Sequence, residues 1–160
     1  MNVNTVNQTI LVIGYGNSLR GDDGVGPHIA SHVATWKIPH VEAIAVQQLT
    51  PDLAERLIEV DLVIFVDANL THTKTVQVCP ITISDSGMVT GHWCEPSILL
   101  AITQALYGHH PKAWWVTVPG SNFDLGETFS ALIQQEINVA LEAIHHLIQT
   151  ARTTLYMKLE

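Results

Sequence analysis

The chain has 160 residues, 47% of them hydrophobic and 14% charged, with a formal net charge of −8. That length suits one domain with a sizeable core, and the composition excludes a disordered chain. The negative balance argues against a nucleic-acid backbone or an anionic membrane as partner, while permitting a basic partner or a cation.

The N-terminal stretch from Met1 to Thr9 is polar and lacks both positive charge and an apolar core, so it is not read as a signal peptide. No apolar run approaches the ~20 residues that a membrane helix needs. Cys79 and Cys94 do not make a disulfide scaffold or a close-spaced zinc pair, which fits a reducing compartment. The expectation is a cytoplasmic protein with a single domain over residues 1–160, in which 1–9 and 151–160 are peripheral tails.

Ile10 to Ile13 are four aliphatic residues, the composition of a strand buried on both faces of a parallel sheet. Gly14 and Gly16 then break the run, and Asn17 follows, a residue that bonds its own backbone in turns. Gly21-Asp22-Asp23-Gly24-Val25-Gly26 opens a helix to about Trp36, with Val25, Ile29 and Val33 at helical spacing. One of the two aspartates is expected to cap it. A dinucleotide fingerprint needs a third glycine where Leu19 stands, and no Gly-Lys-Ser/Thr follows. Two acids at this loop suit a cation better than a pyrophosphate. His28 and His32 lie four apart on the helix and read as surface residues.

Val41 to Val46 reads as a second strand, Gln47-Gln48-Leu49 as a loop, and Thr50-Pro51-Asp52 as a helix start with Leu53, Leu57 and Ile58 on its apolar face. Asp61 to Asp67 is a third, central strand. In a doubly wound sheet the first and third strands flank the switch point, so Asp23 and Asp67 should meet at one edge. Thr75 to Ile83 is a fourth strand. Only Ala68 to Lys74 separate it from the third, too few for the dozen or so residues of a parallel crossover, so it must run antiparallel at an edge. A loop from Ser84 carries Gly91-His92-Trp93-Cys94, and a helix runs from Glu95 to about Tyr107. Ala113 to Val118 is a fifth strand. After a loop at Pro119 to Gly126, a long helix extends from about Glu127 to Thr150, with His145 and His146 exposed near its end.

The whole pattern Gly14-x-Gly16-Asn17-x-Leu19-x-x-Asp22-Asp23-Gly24-x-Gly26 after a hydrophobic strand resembles the hydrogenase maturation endopeptidases. These trim a C-terminal extension from the large subunit of nickel–iron hydrogenases. The resemblance runs in order and spacing from Ile10 to about Phe129. It implies an α/β/α sandwich on a mixed five-stranded sheet, in agreement with the antiparallel fourth strand. It also implies that Asp23, Asp67 and His92 converge as the ligands of nickel that the substrate itself brings, and that the partner is the hydrogenase large-subunit precursor. Two carboxylates and an imidazole suit such a borderline divalent ion. The processing protease would be a monomer with no tightly bound cofactor of its own. Asp22 would support or cap. Val46-Gln47-Gln48-Leu49 replaces the Asp-Gly-Gly-Thr segment of many relatives, so Asn17, Gln47 and Gln48 are the candidates for substrate contact. The Gln48-Leu49-Thr50-Pro51 version is similar to the branch that processes bidirectional, NAD(P)-linked hydrogenases.

Water could be activated by a carboxylate or on the metal, and nucleophilic attack by Cys94 is a third route. No Gly-x-Ser-x-Gly elbow or His-Glu-x-x-His helix is present. A nickel-binding chaperone without peptidase activity would use the same ligands, and a dinucleotide-binding module would use the Gly14/Gly16 turn.

Overall fold

Every residue of strand β1 (Ile10–Tyr15) is buried, as its unbroken aliphatic run requires. The computed structural model describes residues 7–70, 73–84 and 94–157. In it β1 joins β2 (Val41–Val46), β3 (Leu62–Asn69), β4 (Gln77–Ile81) and β5 (Lys112–Pro119) in one sheet of order β2-β1-β3-β5-β4. The first three strands and β5 run parallel, whereas β4 runs antiparallel to β5 at the edge. The short connection after β3 thus has the consequence expected of it. Pro80 lies on this edge strand, where a residue without an N–H is tolerated. The Val76 N–H donates to Glu136 Oε2 at 2.9 Å, which ties the entry of β4 to the last helix.

Among the described residues four α-helices cover the sheet: α1 (Val25–Ala34), α2 (Ala54–Leu57), α3 (Glu95–Tyr107) and α4 (Ala131–Met157). Alternate residues of each central strand face opposite layers, as the strand period demands. Ile10, Val12, Ile64 and Val66 pack with α1 and α4, through residues such as Ile29 and Ile144. Leu11, Ile13, Val63 and Phe65 pack with α2 and α3, through Leu57, Leu99 and Leu100. The result is a three-layer α/β/α sandwich. Each fully buried Ile or Leu contributes about 1.5–3 kcal/mol by leaving water.

Several boundaries differ from the sequence expectation, each for a local reason. Neither Asp22 nor Asp23 caps α1: Gly21–Gly24 forms a 3₁₀ turn, and Gly24 occupies the cap position without a side-chain bond. Trp36 falls outside the helix but still packs against the α1/α4 core. Thr50 likewise makes no side-chain cap bond; Pro51–Leu53 is a 3₁₀ turn leading into the single turn of α2. The last helix starts at Ala131, not Glu127, because Ser130 is its cap: Ser130 Oγ accepts the Ile133 N–H at 3.3 Å. It continues past Thr150 to Met157, so residues 151–157 belong to a helix.

Candidate active site

The β1–β3 ladder ends at the pair Gly14–Val66, so Tyr15 and Asp67 lie where the two strands part. Strand β2 continues the sheet on one side and β5 on the other, which makes this gap the topological switch point. β3 runs two residues beyond Asp67, which pairs in register with Thr117. Asp67 therefore sits inside the strand and is held by a rigid element. It shares a sheet face with Phe65, the face covered by α2 and α3.

Two glycines shape the loop after β1. A Cβ on Gly14 would strike the carbonyl of Gly26 and the side chain of Ala30, so α1 can lie this close to β1 only because none is there. Gly16 has φ +140°, and a Cβ there would run into the Asp23 backbone carbonyl. With the loop folded so tightly, the Asn17 N–H donates to Asp23 Oδ2 at 2.7 Å. Asn17 Oδ1 accepts the Leu19 N–H at 3.0 Å, the self-bonding turn that its residue type favours.

The adjacent aspartates do different things. Asp22 is 0% exposed. Its Oδ2 accepts the N–H groups of Ser121 (2.8 Å) and Asn122 (2.9 Å) and the Ser130 hydroxyl (2.7 Å), while Oδ1 accepts the Ser130 N–H at 2.7 Å. Burial would raise its pKa, but the Ser130, Ser121 and Asn122 donors outweigh burial and hold it below the usual carboxylate range. Asp22 is thus a staple between the first loop and the segment that joins β5 to α4. Backbone bonds reinforce the join: Gly21 N–H to Gly126 O at 2.7 Å and Asp22 N–H to Asn122 O at 2.8 Å. Asp23 is half-buried, and its charge acts on Asp67.

Asp67 is half-buried, and its carboxyl is pushed up to about 7. Burial is the largest cause; the negative charges of Asp23 and Glu95 add to it, against the stabilising Tyr15 hydroxyl and Ala68 N–H. Tyr15, 4% exposed, is itself driven far above the ordinary phenol range by burial first and then by Asp67, so it is a permanent donor. The buried Trp115 Nε1 lies close enough to the phenol to favour its ionised form, yet makes no hydrogen bond of ordinary geometry. Tyr15 and Glu95 were not among the sequence candidates. Their signals were an aromatic side chain at the end of a buried strand and an acid opening a helix, both common features of core packing and helix caps.

The remaining candidates occupy several positions. Gln47 and Gln48 are exposed on the bend after β2, drawn beside the first loop by a 3.2 Å bond from Gly16 N–H to Val46 O. Cys94 is half-buried just before α3, where Ser97 Oγ accepts its N–H at 3.0 Å and donates to its carbonyl at 2.7 Å. His92 lies outside the described residues. Among the described residues no three His, Cys, Asp or Glu side chains are grouped to hold a metal ion. The charge of Asp23 is among the causes that raise Asp67, an effect that a nearby cation would oppose. No helix among the described residues is long and apolar enough to cross a membrane.

The mixed five-stranded sheet with its flanking helices is an architecture seen in hydrogenase maturation peptidases of known structure. HybD, the hydrogenase maturating endopeptidase of E. coli, superimposes with a TM-score of 0.70 at 19% identity, over 89% of this chain and 93% of its own. The hydrogenase 2 maturation peptidase of a Thaumarchaeota archaeon gives 0.69 at 19% identity, over 89% of this chain and 99% of that one. The [NiFe] hydrogenase maturation protease HycI of Thermococcus kodakarensis gives 0.66 at 22% identity, over 92% and 97%. No protein-family model matches the chain, and no curated protein matches it significantly. At these identities the likeness establishes the shared fold.

Proposed function

We propose that this chain is an endopeptidase that removes the C-terminal extension of a nickel–iron hydrogenase large-subunit precursor after nickel has been inserted. The carrying observation is Asp67 at the switch point, within reach of the Asp23 charge, in a sheet shared with hydrogenase maturation peptidases. Asp23, Asp67 and His92 grip the precursor's nickel, an oxygen–oxygen–nitrogen set suited to such an ion. Asn17, Gln47 and Gln48 contact the precursor around it. The protein works as a cytoplasmic monomer, and the Gln48-Leu49-Thr50-Pro51 segment fits a bidirectional, NAD(P)-linked hydrogenase as the client.

Asp67 must be ionised to ligate. Its carboxyl, raised to about 7, is half-protonated near neutrality until a cation lowers it. Mixing the protein with nickel-loaded precursor and following intact mass tests the reading: the large subunit should lose its C-terminal segment, and the nickel-free precursor should not. Binding without any mass change would replace the peptidase by a nickel-sensing chaperone. Tight NAD(P) binding in a titration would favour a dinucleotide module.

A further inference from the structure

Between the segment after β2 and helix α3 runs a cleft of about 220 Å³. Its walls are apolar, formed by Leu49, Pro51, Ile98 and Ile102, with Gln48 and Glu95 as the polar members of its lining. Ile98 is 44% exposed, an aliphatic surface that α3 leaves uncovered at this point. The volume falls below the roughly 300–1,000 Å³ of small-molecule sites and suits a single side chain of an extended peptide. Two members of its lining connect the cleft to the acid-lined edge: Gln48 lies on the bend that the Gly16 N–H to Val46 O bond holds beside the first loop, and the charge of Glu95 reaches Asp67 and Tyr15. Among the described residues both ion pairs belong to Arg56, and neither involves Glu95.

We propose that this cleft is a substrate subsite, taking one aliphatic side chain of the cleaved peptide while Glu95 holds a Lys or Arg side chain next to it. The assignment rests on the peptidase reading given above for its biological substrate, and on charge complementarity and continuity with the Asp23/Asp67 edge for its chemistry. The burial of an aliphatic group against Ile98 and Ile102 supplies the affinity, and Glu95 supplies the discrimination between flanking charges.

The test uses the full-length protein with ¹³C-methyl-labelled isoleucine. The probes are two blocked hexapeptides of alanine that carry Leu-Lys or Leu-Glu at their centre. The Leu-Lys peptide should shift the Ile98 and Ile102 methyl signals and bind at least about threefold more tightly than its twin. Glu95→Lys should reverse the preference, and Glu95→Gln should abolish it. No shift at millimolar peptide, equal binding of both, or a preference that survives charge reversal would overturn the subsite. With nickel-loaded precursor, Glu95→Lys should raise KM more than it lowers kcat; an unchanged KM would overturn the subsite and leave the peptidase intact. A wild-type protein that never cleaves the precursor would overturn the peptidase reading, and the methyl shifts would still decide the subsite.

Discussion

At neutral pH Asp67 is caught between burial, which favours its neutral form, and the Tyr15 hydroxyl, which favours the anion, and burial prevails. Because its folded pKa lies above the unfolded value, the folded state binds the extra proton between about pH 4 and 7, and stability falls as pH rises through that window. Asp67→Asn is therefore expected to stabilise the protein at pH 8, by on the order of 1–3 kcal/mol after allowance for partial exposure, and to change nothing near pH 3. Urea unfolding at the two pH values measures this, while the same variant should lose precursor processing. Asp22 has the opposite sign. Its lowered pKa contributes stability above the unfolded value, lost as pH falls through the folded one. Asp22→Ala orphans three backbone N–H groups and the Ser130 hydroxyl, and should cost roughly 3 kcal/mol or more in chemical denaturation. Asp23→Ala removes one acceptor, for Asn17, and should cost only about 1 kcal/mol while abolishing processing. A processing rate near wild type would remove Asp23 from the site.

Among the elements, α3 borders both Asp67 and the cleft. Its N-terminus supplies Glu95 to the site and Ile98 to the cleft, and Ser97 fixes both by bonding Cys94 at its N–H and its carbonyl. Ser97→Ala should destabilise the protein by about 1 kcal/mol and weaken binding of any ligand at the cleft. Thermal unfolding and the methyl shifts above would report the two effects separately. Element identity was legible because period and composition agree: β1 and β3 open on unbroken apolar runs, and the spacing of Leu99, Leu100 and Thr103 is helical. The antiparallel β4 followed from loop length alone. Element ends were less legible. Glu127 to Ser130 are kept out of α4 because Asp22, more than a hundred residues earlier, holds Ser130 at its cap position. No local window contains that contact.

For the whole molecule, five strands and two helical layers place one acid pair at the switch point, and an apolar cleft opens beside it. Gly14→Ala probes this arrangement, since a methyl group there pushes α1 off the sheet. It should cost more than the roughly 1–3 kcal/mol of ordinary overpacking, because the obstacle is backbone, and low expression or loss of a cooperative transition would show it. By itself the amino-acid sequence determined the order of strands and helices along the chain and the reversal of β4. Each follows from side-chain period or connection length. Only the tertiary structure decided that Asp22 is a staple while Asp23 is not, and that burial, the Tyr15 hydroxyl and the Ala68 N–H dominate the surroundings of Asp67. Those roles depend on which donors and charges from distant segments surround each side chain, and on how much water they exclude.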